Sequence, residues 1–207
     1  MPLIKTIAPD EKTQILVWKV TESIEELKET FLKKESLKRF NNMRSEIHQK
    51  GFLSIRHLLK EIGYSDADLH YSDNGKPHLK NDKHVSISHS FDYATIIVSD
   101  TFVGIDIEKN RPKIKSIASK FLNTEEAFLQ EEKLVEQLTV IWGAKEALYK
   151  IKPNSGLLFK KHLFIAPFNL KNNCTLAWIK KEPINECYCI YYEQIEGYAL
   201  VYALPKP

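Results

Sequence analysis

The chain has 207 residues, and its 30 Lys and Arg residues against 27 Asp and Glu residues give a formal net charge of +3 with histidine neutral. A hydrophobic share of 43% is enough to fill a sizeable core, which excludes wholesale disorder. No apolar run approaches the roughly 20 residues of a membrane helix and the start lacks a secretory signal, so we expect a cytoplasmic protein without a membrane partner.

The hydrophobic pattern predicts the secondary structure in chain order. It predicts a strand at 13–20, helices at 23–37 and 43–62, and a turn at 73–75. Strands follow at 84–90, 93–98 and 102–108, then helices at 121–132 and 134–152, then strands at 176–179, 187–192 and 198–204. This order predicts an α+β fold made of two α/β halves.

Glycine is scarce, since 7 of the 207 residues are about 3% of the chain and average usage is about 7%. Neither GxGxxG nor GxxxxGK[ST] occurs. Both absences argue against the ordinary Rossmann and P-loop folds, in which glycine loops hold the phosphates.

Two carboxylates, Asp106 and Glu108, alternate along the strand predicted at 102–108. Alternation places both on one strand face, beside Gly104, about 7 Å apart along the chain. At that separation they can converge on one hard cation such as Mg²⁺. A polar strand face exposed to water explains the same pattern, and these two residues alone leave the choice open.

A second group of residues lies on the helix predicted at 134–152. Trp142, Glu146 and Lys150 are spaced by four and share one helical face, whereas Lys145 points elsewhere. A Glu followed four residues later by Lys is also a common surface pair. The turn before Glu146 contains a Trp and a Gly, which are poor choices for a helix face that is simply solvated. Their presence favours a functional site.

A third group combines the turn at 74–78 with the strand that ends at Ser88, His89 and Ser90. A tight turn of this kind is most often a plain hairpin, and a lone histidine after apolar residues is most often a core residue. The serine and histidine side chains are nevertheless suited to binding a phosphate, because all of them donate hydrogen bonds.

These pieces occur together in one order: NGKPHL, then VSISHS, then VGIDIEK, then WGAKEALYK. In order and spacing they resemble the 4′-phosphopantetheinyl transferase superfamily, specifically its longer, surfactin-synthetase-activating (Sfp-like) type. The resemblance runs from about Arg56 to Lys152, roughly half of the chain. Each motif is weak alone, whereas the combination is specific.

The resemblance implies transfer of the phosphopantetheine arm of coenzyme A to a serine of an acyl or peptidyl carrier protein, with release of adenosine 3′,5′-bisphosphate. By residue match, Asp106, Glu108 and Glu146 would hold Mg²⁺ against the pyrophosphate. Glu146 would also take the proton from the attacking serine. Lys150 would stabilise the departing phosphate and His89 would donate to the same diphosphate.

The resemblance also implies a nucleotide site. Gly75, Lys76 and Pro77 match the segment that lies along the adenine, and Ser88 beside His89 matches a phosphate contact. Arg56 matches a family arginine for the 3′-phosphate. A further basic residue is harder to place, because Lys38, Arg39 and Arg44 are all candidates and each can equally be a solvated surface charge.

The fold that the resemblance implies has two similar halves related by a pseudo-twofold axis, each a small antiparallel sheet packed on helices. We place the halves at 1–108 and 109–207, with the active site at their interface. One chain then supplies both halves of the cleft, so we expect a monomer. Phe121 and Leu122 match a segment that either helps to dock the carrier or packs in the core.

The implied partners are coenzyme A and an acidic helical carrier domain, with no nucleic acid. Two other functions remain open. A non-catalytic carrier-binding or nucleotide-binding module could keep the fold without the chemistry, and an Mg²⁺-dependent hydrolase could cleave a diphosphate without any carrier.

Overall fold

The structure is a computed structural model that describes residues 2–30, 32–153 and 155–206. It contains two compact units, Met1–Asp100 and Thr101–Pro207. In each unit helices pack on a small antiparallel sheet, which confirms the predicted α+β class. Among the described residues, no helix combines the length and the apolar character that a membrane crossing requires.

The first unit contains a four-stranded antiparallel sheet, a two-stranded ladder and three helices. Its elements are β1 (Leu3–Asp10), β2 (Thr13–Lys19), α1 (Ile24–Leu27), α2 (Lys34–Asn41), α3 (Glu46–Glu61), β3 (Leu69–Tyr71), β4 (Pro77–Leu79), β5 (His84–Ser90) and β6 (Tyr93–Ser99). The sheet order is β1-β2-β6-β5, and β3 pairs with β4. Helix α3 covers this sheet through an apolar face that includes Ile55, Leu58 and Leu59.

The helix predicted at 23–37 is two separate helices. Ser23 begins α1 with a capping box, in which its side chain accepts from the Glu26 amide and Glu26 in turn accepts from the Ser23 amide. Helix α2 begins afresh because the carboxylate of Asp66 accepts a hydrogen bond from the Lys33 amide at 2.9 Å. A tertiary contact therefore sets this helix start, and periodicity alone could not reveal it.

The second unit is a five-stranded antiparallel sheet packed on a long helix. Its elements are β7 (Gly104–Lys109), α4 (Ala118–Phe121), α5 (Leu134–Ile151), α6 (Phe159–His162), β8 (Leu163–Ile165), β9 (Cys174–Lys181), β10 (Ile184–Ile195) and β11 (Tyr198–Pro205). The sheet order is β7-β11-β10-β9-β8. Helix α5 packs against β7 and β11, and its buried residues Leu138, Ile141 and Leu148 belong to the core of this unit.

Two boundaries differ from the sequence prediction. The division between the units falls after Asp100, eight residues before the predicted one, because β7 pairs with β11 and so belongs to the second sheet. The helix predicted at 121–132 is instead α4 followed by short 3₁₀ turns at Thr124–Phe128 and Glu131–Lys133. The buried side chain of Glu125 accepts from the Asn123 amide there, which favours a tight turn.

Candidate active site

The carboxylate of Asp106 lies beneath helix α5 in the second unit. Asp106 points from β7 toward the helix and is only 4% exposed, which excludes the alternative of a solvated strand face at this position.

The close approach of α5 to the sheet depends on two glycines, Gly143 and Gly104. A Cβ atom on Gly143 of α5 would stand 2.9 Å from a methyl of Val201, and 3.5 Å from Oδ2 of Asp106. Gly143 therefore serves close packing on the sheet.

Gly104 makes the tightest of these approaches, and we expect Gly104→Ala to damage the site. The added Cβ would stand 1.9 Å from the carbonyl oxygen of Ala147, which is helix backbone and cannot rotate away. We expect a loss of about 1–3 kcal/mol in the free energy of unfolding and displacement of α5 from β7. Urea unfolding together with an activity assay checks this expectation, and a variant with wild-type stability would contradict the packing account.

Lys150 of α5 is ion-paired with Asp106. Its Nζ donates to Oδ1 of Asp106 at 2.7 Å and to the carbonyl oxygen of Ile105 at 2.8 Å. The Asp106 side chain is 6% exposed and that of Lys150 is 27% exposed, so the pair sits at the edge of solvent. The ammonium group is thus held where the buried carboxylate needs a counter-charge.

The three carboxylates of the site lie close enough to influence one another. Burial raises the pKa of Glu146 to about 7, the negative charges of Asp106 and Glu108 raise it as well, and Lys150 lowers it. Trp142, Glu146 and Lys150 are all partly exposed, whereas Gly143, Ala144, Lys145, Ala147 and Leu148 between them are buried, as expected for one shared helix face. Within the described part of the chain, no group of three or more His, Cys, Asp or Glu side chains is arranged to hold a metal ion by itself.

The predicted nucleotide turn lies in the first unit, between β3 and β4. Gly75 has a φ of +79°, a left-handed conformation that favours glycine. The Gly75 amide donates to the Ser72 carbonyl at 2.7 Å, and the Lys76 amide donates to the Asn74 side chain at 3.2 Å. Pro77 begins β4 opposite Tyr71, so the segment has a fixed backbone conformation.

Ser88 and His89 lie at the end of β5 in the same unit. The His89 side chain is exposed, which argues against a core histidine, and its ring packs on the backbone of α3. A Cβ on Gly51 would stand 2.6 Å from the His89 ring, and the His48 ring lies at 5.9 Å between centroids. Glycine at position 51 thus gives the imidazole its place against the helix.

Arg56, predicted as a phosphate ligand, has a buried side chain in this structure. Its side chain is 2% exposed, and Nε donates to Oδ1 of Asp66 at 2.9 Å. The Nη1 group donates to the Phe52 carbonyl, and Nη2 reaches Ser36 Oγ at 3.4 Å. The guanidinium is thus engaged inside the first unit, and its contact with a phosphate stays a prediction.

Two buried acidic residues, each paired with a basic side chain, were not among the predicted site residues. Asp66 pairs with Arg56 in the first unit, and Glu125 pairs with Lys145 at 2.8 Å in the second. An isolated carboxylate in a polar segment gives no sequence signal for burial. Phe121, the other open assignment near Glu125, is fully buried, and Leu122 is 4% exposed, so both pack in the core.

Comparison with known proteins identifies the family. A family model described as the 4′-phosphopantetheinyl transferase superfamily matches residues 102–203, which include β7 and α5. The chain is 27% identical over 168 residues to 4′-phosphopantetheinyl transferase psf-1 of Bacillus pumilus, covering 76% of this chain and 70% of that protein. It is 25% identical over 186 residues to 4′-phosphopantetheinyl transferase Sfp of Bacillus subtilis (strain 168), covering 84% and 81%.

A third relative is 4′-phosphopantetheinyl transferase gsp of Aneurinibacillus migulanus, 28% identical over 156 residues that cover 72% of this chain and 64% of that protein. The family match contains the β7–α5 site, and the three relatives match most of the chain, including parts of both units. The chain therefore belongs to the 4′-phosphopantetheinyl transferase superfamily and is an enzyme of the Sfp-like transferase type.

Proposed function

We propose that the enzyme transfers the 4′-phosphopantetheine arm of coenzyme A to a serine hydroxyl of an acyl or peptidyl carrier protein. The observation that supports this most directly is the carboxylate cluster of Asp106, Glu108 and Glu146 with Lys150 at its edge. Such a cluster is suited to a substrate that brings phosphate groups and a cation together. The reaction releases adenosine 3′,5′-bisphosphate.

The donor set fits Mg²⁺. Magnesium prefers oxygen ligands, keeps several waters and usually takes only one or two protein carboxylates together with substrate phosphates. A complete protein cage is therefore not required. The charges of Asp106 and Glu108 add to burial in raising the pKa of Glu146, and a cation would relieve that repulsion. Asp106, Glu108 and Glu146 are the candidate ligands, of which one or two would hold the ion together with substrate phosphates. When bound, Mg²⁺ neutralises the charge that develops on the diphosphate.

Residues of the chain then take up the proton of the attacking serine and stabilise the negative charge on the departing phosphate. Glu146 accepts the serine proton, directly or through a water, because its carboxylate lies on the partly exposed face of α5 beside the cluster and can act as a general base. The serine oxygen forms a bond to the β-phosphorus of coenzyme A as the bond from that phosphorus to the bridging oxygen breaks. Lys150 donates to the departing phosphate, exchanging part of its contact with Asp106 for that new charge.

The first unit would bind the nucleotide end. The ordered backbone of Gly75, Lys76 and Pro77 supports a role along the adenine, since its conformation is set before any ligand arrives. Ser88 and His89 can donate to the diphosphate because the imidazole is exposed at the end of its strand.

A cleft beside Glu108 is the proposed docking surface for the carrier. It has a volume of about 180 Å³. Ile114 and Trp142 contribute apolar walls, and Lys109, Arg111 and Lys113 contribute positive charge. An acidic helical domain matches the positive rim, and one of its apolar side chains can enter between the walls.

We expect Arg111→Glu to raise the KM for an acidic carrier by about tenfold, most strongly at low salt, because it reverses a charge at the rim of the cleft. The KM for coenzyme A should not change. Lys171→Glu makes the same charge change at an exposed position outside this cleft and serves as the control. Equal effects of the two substitutions would contradict docking at the cleft.

Product release tests the proposed reaction against its alternatives. The enzyme is incubated with coenzyme A and Mg²⁺, with or without a panel of carrier domains, and adenosine 3′,5′-bisphosphate is measured by chromatography. Release only when a carrier is present supports the transferase. Release without a carrier would identify a diphosphate hydrolase, and no release with any carrier in the panel would favour a non-catalytic binding module.

A further inference from the structure

Asp66 is a buried carboxylate at the centre of a hydrogen-bond network in the first unit. The residue is 3% exposed and accepts hydrogen bonds from three places in the chain. The Lys33 amide reaches Oδ2 at 2.9 Å, the hydroxyl of Ser36 reaches Oδ1 at 3.0 Å, and Nε of Arg56 reaches Oδ1 at 2.9 Å. Ser36 and Arg56 are themselves buried, so water does not compete for these contacts.

This network fixes helix α2 at its first turn. Two of the three donors belong to that turn, the Lys33 amide before the helix and the hydroxyl of Ser36 within it. The third comes from α3, and the side chain of Lys33 donates to the Leu69 carbonyl of β3. Asp66 therefore joins α2 to α3, and Lys33 joins the same turn to the β3–β4 ladder.

Arg39 lies one turn further along α2, on the exposed side of the unit. Its guanidinium lies 4.6 Å from the ring centroid of Tyr71 and 5.8 Å from that of Phe52. Tyr71 is the cross-strand partner of Pro77. The guanidinium thus lies on the residue opposite the end of the 75–77 turn, on a platform that restricts its rotamers while leaving it accessible to an anion.

The other two candidate cations differ from Arg39. Among the described residues, neither Lys38 nor Arg44 makes an ion pair or ring contact, and both are exposed. An arginine held over an aromatic ring loses little side-chain entropy on binding, whereas a freely moving lysine loses much more. The observations therefore single out Arg39.

We infer that Asp66 is a positioning residue for the nucleotide end of coenzyme A, which acts by holding helix α2 so that Arg39 binds a phosphate group beside the 75–77 turn. The inference rests on the proposed function, because the ligand is taken to be coenzyme A. Arg39 would contact the phosphate directly, and Asp66, Ser36 and Arg56 would act only through it.

Isothermal titration of coenzyme A into the intact protein tests this chain of contacts without any carrier. We expect Arg39→Gln to weaken binding by about tenfold or more, since a charge-assisted contact is lost. Asp66→Asn should weaken it by about fivefold although Asp66 does not touch the ligand, and Ser36→Ala should have a smaller effect in the same direction. Lys34→Gln removes a neighbouring exposed charge on α2 and should stay within about twofold of wild type.

The double variant Asp66→Asn/Arg39→Gln separates positioning from general damage. If Asp66 acts through Arg39, the double variant binds no more weakly than Arg39→Gln alone. If the loss of affinity in the double variant equals the product of the two single losses, the inference is overturned. Wild-type affinity in Asp66→Asn would overturn it as well. Circular dichroism and a thermal melt establish which variants are folded, and if Asp66→Asn is not, the same cycle with Ser36→Ala decides.

The outcome for wild type separates this inference from the proposed function. Wild-type protein that binds no coenzyme A would refute the proposed function, and the inference with it. Wild-type protein that binds coenzyme A and loads a carrier, with affinities unchanged in Arg39→Gln, would leave the function standing and refute the inference alone.

Discussion

Glu146→Gln is expected to reduce carrier loading, measured as kcat/KM, by about 10²–10⁴-fold, the range associated with loss of a general base. The side chain lies on α5 facing Asp106 and Glu108, whose charges add to burial in raising its pKa to about 7. Glutamine keeps the shape but can neither accept the serine proton nor supply a carboxylate to Mg²⁺. The general base and a candidate metal ligand are lost together, so this is the largest kinetic effect that we expect.

The same substitution should leave the protein folded. A carboxylate whose pKa is raised is more costly to ionise in the folded chain than in the unfolded one, so removing it does not lower stability at neutral pH. Glu136→Gln, in the first turn of α5, is the matched control and should load carriers at the wild-type rate. Near-normal loading by folded Glu146→Gln would refute the role of this residue.

Lys145→Met is expected to destabilise the second unit by about 3–5 kcal/mol, the usual cost of leaving a buried charge without its partner. Lys145 and Glu125 have no exposed side-chain surface and lie 2.8 Å apart. Lys145 also donates to the Phe121 carbonyl at 2.6 Å, and Glu125 accepts from the Ile165 amide at 3.1 Å. The pair thereby joins α5 to α4 and β8.

Urea unfolding measures this loss, with two comparisons. Lys161→Met changes an exposed lysine in the same unit and should shift the free energy of unfolding by no more than about 0.5 kcal/mol. The pair Lys145→Met/Glu125→Gln should recover part of the loss, because the stranded charge is gone. A stability of Lys145→Met within about 1 kcal/mol of wild type would show that the buried pair does not support the fold.

The elements that carry the second-unit site follow directly from the sequence. The strand at Gly104–Lys109 alternates polar and apolar residues, and the helix at Leu134–Ile151 has apolar residues at helical spacing along its length. Each pattern predicts its element from the local sequence alone, without information about the residues packed against it. Spacing by four placed Glu146 and Lys150 on one face, where the structure has them. Local geometry determines such relations, which explains why they can be predicted.

Relations between distant segments could not be predicted in this way. Arg56 matched a ligand position in the motif pattern, but its partner Asp66 lies in a short 3₁₀ turn whose burial depends on α2 and α3 packing together. The ladder of β3 and β4 was missed because three-residue strands are too short to show a period. The pairing of Lys150 with Asp106 joins residues 44 apart, and no sequence pattern encodes that contact.

The intact mass of a carrier domain after incubation with the enzyme, coenzyme A and Mg²⁺ tests the central claim most directly. A panel of fatty-acid, polyketide and peptide-synthetase carriers would be measured beside versions with the acceptor serine changed to alanine. We expect at least one class to gain the mass of the phosphopantetheine arm, and its serine-to-alanine version to gain none. No mass gain on any carrier, or a gain that does not depend on the serine, would contradict it.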